Sequence, residues 1–251
     1  MRFVGKVLFA TGAGSGIGAE TVRRYAAEGG RVAVTDIDFD KARAVAATLP
    51  DALALACDVT SEASVAAAIE ATHGHFGRLD SVFNSAGHAI FGTIEETSLE
   101  AWNLIMAVHV TGTFLVCRAA MPVLRSSGGG AIVNMASVAA IVGRPHGGAY
   151  AAAKGAILAF SRQLAADAAV DGVRVNVIAP GPVKTAMTIP FHTRNGEGDW
   201  ERGATLAAQQ IPLKRVGDPS EIAAPVCFLL SDEASYFTGT MFVADGGMTA
   251  I

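Results

Sequence analysis

The chain lacks most of what would mark it as secreted, metal-bound or wrapped around nucleic acid. Its three cysteines, Cys57, Cys117 and Cys227, are odd in number and far apart. That spacing excludes a disulfide framework and a Cys-x-x-Cys site, so reduced structural thiols in the cytoplasm are expected, with no bound metal. A strong charge of one sign is also missing: 19 Lys and Arg stand against 23 Asp and Glu, for a formal net charge of -4. Neither nucleic acid nor an anionic membrane is therefore an expected partner. No Pro- or Ser-rich linker and no run of like charge divides the chain, and residues 1–251 read as one domain. The start, Met1-Arg2-Phe3-Val4-Gly5-Lys6, meets a Gly-rich turn too soon for a signal peptide, so export is not expected. Trp102 to Leu124 is apolar, yet Asn103, His109, Arg118 and Pro122 interrupt it, which favours a buried helix over a membrane span.

What is present is apolar and small. Hydrophobic residues make up 51% and aromatics 7%, with 28 glycines, a composition suited to helices packed closely on a sheet. Short β-branched runs alternate with helical stretches, the pattern of βαβ units around a parallel sheet. Strands are expected at Val7 to Thr11, Arg31 to Asp36, Ala52 to Cys57, Ser81 to Asn84, Ala131 to Met135, Val173 to Ile178 and Thr240 to Val243. Helices are expected near Ile17 to Glu28, Phe39 to Leu49, Ser61 to His75, Leu99 to Leu124, Ala149 to Val170 and Ser220 to Leu230. Right-handed crossovers then give a doubly wound α/β sheet, with ligands beyond the carboxyl ends of the strands. The Ala149 to Val170 helix carries Ala or Gly on nearly every side. One face is expected on the sheet and another on a partner subunit, which predicts a homo-oligomer.

Directly after the first strand comes Thr11-Gly12-Ala13-Gly14-Ser15-Gly16-Ile17-Gly18, opening a helix. Gly12, Gly16 and Gly18 permit unusual backbone angles and close approach, so that amides near Ser15 and Ile17 can meet a pyrophosphate at the helix N-terminus. Asp36 ends the second strand twenty residues after Gly16, where a carboxylate accepts from ribose hydroxyls and repels a 2′-phosphate. Ile37 follows it, so no cation is offered there to NADP, and NAD is the expected cofactor. Asp58, followed by Val59, closes the third strand and reads equally well as a helix cap or a ligand contact. Asn84-Ser85-Ala86-Gly87 ends the fourth strand with small residues, suited to a close cofactor approach or to tight packing alone.

Tyr150 and Lys154 are four apart and share one helix face, while Ser137 lies just beyond a strand end. These residues, with the Thr11 to Gly18 loop, Asn84-Ser85-Ala86-Gly87, Pro180-Gly181 and Asp245-Gly246-Gly247, resemble the short-chain dehydrogenase/reductase family over essentially the whole chain. The resemblance implies a single-domain Rossmann fold with a mainly parallel sheet of seven strands or so, and reversible redox of a secondary alcohol and a ketone. By the same resemblance Ser137 orients a small-molecule substrate, Tyr150 exchanges its proton, and Lys154 supports the phenol and binds ribose. Asn84, Ala86 and Gly87 join the cofactor site, Pro180, Gly181, Val183 and Thr185 contact its nicotinamide end, and the protein forms a homotetramer. The chemistry is intelligible in itself: phenol with a reference pKa of about 10 is a weak base near neutrality, and adjacent positive charge would lower that value.

The chain departs from the family at His109, where most relatives carry an asparagine whose backbone carbonyl holds a relay water. His109 is expected either as a satisfied core histidine or as a catalytic relay group that adds a titration. Met187 to Leu206, with Pro190, Gly196 and Gly198, reads as a mobile flap over residues 186–206, in which Ile189, Phe191 and Trp200 could cover substrate. His88, Arg144, His146 and Met187 border the expected pocket. Alternative functions are a β-ketoacyl-type reductase, against which Asp36 weighs, and a non-catalytic NAD-binding regulator, against which Ser137, Tyr150 and Lys154 weigh.

Overall fold

In the computed structural model, which describes residues 1–90 and 92–250, seven strands form one sheet in the order β3-β2-β1-β4-β5-β6-β7. The strands are β1 (Val7–Thr11), β2 (Arg31–Asp36), β3 (Ala52–Ala56), β4 (Ser81–Asn84), β5 (Gly130–Met135), β6 (Val173–Pro180) and β7 (Met241–Ala244). Every neighbouring pair is parallel. Successive residues of β1 turn to opposite faces: Leu8 and Ala10 enter one core, Val7 and Phe9 the other. The first core packs beneath α1 (Gly16–Ala27), α2 (Phe39–Ala46) and a helix near the C-terminal end, Pro219–Leu230. The second lies under α3 (Glu62–Phe76) and the long helices of the central segment. Two covered faces explain why the strands are continuous apolar runs.

The strand order reverses at β1, which pairs with β2 on one side and β4 on the other, in the register Thr11↔Asn84. Loops leaving β1 and β4 at their carboxyl ends therefore diverge and open a crevice between them.

The expected helix from Leu99 to Leu124 is not uniform. It runs as α4 (Leu99–Ile105), a π-helical turn over Met106–Thr111, and α5 (Gly112–Ser126). The whole stretch is long and apolar enough to cross a membrane by composition, but here Leu115, Val116, Ala120 and Leu124 are buried in the second core. Beside it α6 (Gly148–Ala168) carries the Tyr150–Lys154 pair.

The segment expected as a flap folds as a pair of short helices, α7 (Ile189–Asn195) and α8 (Trp200–Ala208). They approach closely because Gly203 has no side chain: a methyl group there would collide with the backbone of His192. A side chain on Gly196 would likewise strike the Asp199 carbonyl. His192 is buried between Phe191 and Trp200, each ring edge-on to it. The last helix, α9 (Pro219–Leu230), begins in a capping box between Asp218 and Glu221.

Candidate active site

A single cleft of about 670 Å³ runs from the turn after β1 to the start of α6. At one end Gly12, with φ +59°, brings the chain so near the β4 loop that a methyl group on it would stand 2.7 Å from Ala86 Cα. Only a residue without a side chain fits there. Thr11 ties the same two loops together, its hydroxyl accepting from the amides of Ser85 and Ala86 at 3.1 and 3.2 Å. Gly18 does not line the cleft. It lets α1 sit against the turn, since a side chain would lie 2.5 Å from the Gly12 carbonyl oxygen. Ser15 precedes α1 with no side-chain cap among the described residues, so the first amides of the helix face the cleft with their partial positive charge.

Asp36 and Ile37 line the cleft as expected. The Asp36 carboxylate accepts from Gly14 N at 3.1 Å and from Asp38 N at 3.0 Å, which fixes it and leaves lone pairs for further donors. It is thus both a turn carboxylate and a cleft residue. Sequence reasoning missed Lys41, which lines the same end and pairs with Asp38 at 3.1 Å. Its signal was its place in the first turn of the helix after Asp36. Asp58 and Val59 also line the cleft, although Asp58 Oδ1 accepts from the amide and hydroxyl of Thr60 at 2.9 and 2.7 Å.

Asn84 departs from expectation. Its amide faces the interior, donating to Asn134 Oδ1 at 2.8 Å, and Asn134 in turn donates to Ser161 Oγ at 2.8 Å. This buried chain stitches β4 and β5 to α6, and Asn84 is absent from the cleft lining, whereas Ser85, Ala86 and Gly87 are present.

At the far end Ser137, Tyr150 and Lys154 converge with Pro180, Gly181, Val183, Thr185 and Met187. Ser137 N-caps a short 3₁₀ turn over Val138–Ala140, so its Oγ is held by the Ala139 amide at 3.2 Å. Lys154 is 3% exposed; its Nζ donates to the Met135 carbonyl at 2.8 Å and lies 5.4 Å from the Tyr150 ring centre. Burial pushes the Tyr150 phenol up to about 12, with the Ser137 hydroxyl pulling the other way, and burial pulls the Lys154 amine down to about 7. The protein's own groups therefore favour the neutral form of both, so the expected acidic phenol is not produced by the side chains alone.

His109 is buried in the π-helical turn and lines the cleft, its ring edge-on to Tyr150 at 5.6 Å. Burial, then the neighbouring Lys154, pushes its pKa down to about 3. That direction favours the neutral imidazole and weighs against an added titration near neutrality. The His109 carbonyl accepts from Thr113 Oγ1 at 2.6 Å.

Of the expected substrate residues, His88 and Met187 line the cleft. His146 does not; it is exposed, in a left-handed conformation with φ 63°. Arg144 Nη2 donates to Met248 Sδ at 2.7 Å, outside the lining. Ile189, Phe191 and Trp200 are likewise outside it, because α7 and α8 turn their aromatic side chains on His192.

The arrangement has counterparts. A family model described as enoyl-(acyl carrier protein) reductase matches residues 12–249. A 2-(S)-hydroxypropyl-CoM dehydrogenase of Xanthobacter autotrophicus is 41% identical, covering 100% of this chain and 99% of that protein. The chain belongs to the short-chain dehydrogenases/reductases. A D-threitol dehydrogenase of Mycolicibacterium smegmatis is 42% identical over 99% of this chain and 94% of its own. The crystal structure of levodione reductase superposes with a TM-score of 0.95 at 34% identity, covering 99% of both chains. As a short-chain dehydrogenase/reductase, the protein is an oxidoreductase acting on CH–OH groups with a nicotinamide cofactor. The cleft fits that cofactor: Gly12 lets the turn lie against the β4 loop, Gly18 lets α1 sit against the turn, and the α1 amides so placed face the cleft.

Proposed function

We propose that the chain is an NAD-preferring dehydrogenase that interconverts a secondary alcohol and a ketone, with Tyr150 as the proton-transfer group, Ser137 holding the reacting oxygen and Lys154 supporting the phenol. The observation that carries this reading is the convergence of those three side chains in one cleft with the glycine turn and Asp36. Gly12, Ser15, Gly16, Ile17, Asp36, Ile37, Asp58, Val59, Ala86 and Gly87 would hold the dinucleotide, and Pro180, Gly181, Val183 and Thr185 its nicotinamide end. When bound, that ring supplies the hydride acceptor or donor and, oxidised, a positive charge. Ser137 Oγ donates to the substrate oxygen, the Tyr150 oxygen takes the alcohol proton as the ketone forms, and the reverse delivers it. Desolvation raises the phenol and lowers the amine, so charge on either group needs an opposing or stabilising partner in the loaded site.

The carboxylate of Asp36 favours ribose hydroxyls over a 2′-phosphate, which supports NAD. The names of the relatives support hydroxylated substrates, because one is a dehydrogenase of hydroxypropyl-CoM and another of threitol. Partly exposed Leu104 and Phe114, with Phe114 edge-on to Phe160 of α6, support a homo-oligomer through the α4–α6 face, a homotetramer by family likeness. A cytoplasmic location fits three free, buried cysteines.

The deciding experiment is Tyr150→Phe. Turnover of a panel of secondary alcohols and polyols with NAD should fall by about 10³-fold or more, while NADH binding, read by fluorescence, is retained. Unchanged turnover would overturn the assignment.

A further inference from the structure

The ring of His109 sits at a junction that the family reading does not use. Nε2 lies 2.8 Å from the His88 carbonyl oxygen and 3.2 Å from the His88 amide nitrogen. One ring nitrogen cannot both donate and accept, so the tautomer decides whether Nε2 donates to the His88 carbonyl or accepts from the His88 amide; in either form one bond joins the ring to that peptide. Nδ1, buried, has no partner among the described residues, so the ring's polar contact is with the His88 peptide alone. The ring also fills the space beside Gly87, where a side chain would collide with Cε1. Its other edge backs the Tyr150 ring, and its backbone is held by Thr113.

We propose that His109 is a positioning residue: its Nε2 holds the His88 peptide, and its ring wedges between Gly87 and Tyr150, setting the spacing of the cofactor loop and the reacting phenol. The inference rests on the reading of Tyr150 given above. It differs from a relay through the His109 carbonyl, because here the side chain acts, and it acts without gaining or losing a proton.

Geometry favours this role over core packing alone. A histidine serving only to fill space would be equalled by any ring of its size, and it would not be aimed at one peptide unit that itself borders the cleft. The π-helical turn over Met106–Thr111 brings the side chain there, adding width to the helix where His109 must reach the β4 loop. The bond acts on the loop beyond the strand: β4 ends at Asn84, Thr11 ties Ser85 and Ala86, His109 meets His88, and Gly92 further along bridges to Gly147.

Two variants separate the hydrogen bond from the shape. His109→Phe keeps a ring and burial but leaves the His88 peptide without its side-chain partner; His109→Gln offers an amide, with both a donor and an acceptor, at a similar reach. Three quantities are measured on each full-length variant: kcat and KM separately, NADH affinity by fluorescence, and hydrogen exchange of the peptide covering Ala86 to Ile90. The expected result for His109→Phe is a fall in kcat of about tenfold, with faster exchange confined to that peptide. His109→Gln should restore both within about threefold. Equal kcat and equal exchange in the two variants would overturn the proposal, as would a loss in His109→Phe that simply tracks a lowered melting temperature with exchange raised throughout. If Tyr150→Phe leaves turnover intact, the catalytic reading fails by itself, while the exchange measurement still reports whether His109 holds the loop.

Discussion

Lys154 Nζ donates to the Met135 carbonyl at 2.8 Å, in a place so enclosed that burial brings the amine from 10.5 down to about 7. A lysine with a lowered folded-state pKa is protonated in the unfolded chain over a range where the folded one is not. Between about pH 7 and 10.5 the unfolded state therefore binds more protons, and stability rises with pH across that window. Below it the full penalty of a buried charge remains. Lys154→Met should consequently be inactive yet more stable than the parent at pH 6, by on the order of 2 kcal/mol once the lost hydrogen bond is allowed for. The difference should shrink towards pH 10. Denaturant unfolding at the two pH values checks this, and a variant equally destabilised at both would contradict it.

Catalysis should carry its own pH signature. With the phenol held up at about 12 and the amine down at about 7, the basic form needed to accept a proton grows as pH rises. Alcohol oxidation should therefore accelerate from pH 7 to 10, while ketone reduction, which needs the protonated phenol, should stay nearly level over that range. His109, held near 3, should add no inflection between pH 5 and 8. Rate profiles of the parent and His109→Gln should have the same shape, whatever their heights; a step near pH 6 that vanishes in the variant would place the titration back on this histidine.

Cofactor choice should depend on a triad at the adenosine end. Asp36 faces the cleft beside Lys41, whose ammonium is engaged by Asp38 at 3.1 Å. Replacing the carboxylate with Asp36→Ser should weaken NAD binding and let Lys41 approach a 2′-phosphate, narrowing the NAD-over-NADP ratio by about tenfold or more. Adding Lys41→Met should remove the gain. Titrations with adenosine 5′-monophosphate and adenosine 2′,5′-bisphosphate read this without turnover, and an equal gain in the single and double variants would show that Lys41 takes no part.

The α7–α8 pair should be intolerant of one methyl group. Gly203 lies against the backbone of His192, so Gly203→Ala must separate the two helices. The expected cost is about 2–3 kcal/mol, with raised hydrogen exchange in residues 189–208 and a smaller effect on NADH affinity, since only the base of this segment reaches the cleft. Exchange unchanged in that region would show that the packing yields more easily than the geometry requires.

The strands were legible because both faces of the sheet are covered, which turns Val7–Thr11 and Val173–Pro180 into apolar runs bounded by turn residues. That the glycine turn, Asp36, Ser137, Tyr150 and Lys154 meet in one cleft was legible because each stands at the end of a strand or on one helix face. Other features depend on contacts that no local pattern carries. The π-helical turn has the same apolar periodicity as the helices around it. Pro190, Gly196 and Gly198 resemble loop signals, yet Gly196 and Gly203 permit two helices to touch. Asn84 carries a side chain fit for a cofactor, and its direction was decided by Asn134 on the neighbouring strand. His109 lines the cleft beside the phenol, and its lowered pKa follows from burial, which spacing does not reveal.

The contact of the Gly12 turn with Ala86 has a bearing on how the molecule comes together. Thr11 and Ala86 are 75 residues apart in sequence, and the floor of the dinucleotide cradle is complete only when β1 and β4 lie side by side. Nascent or partly unfolded forms without that central pairing possess no receptor for the coenzyme, so the ligand recognises only the finished sheet and acts as a latch upon it.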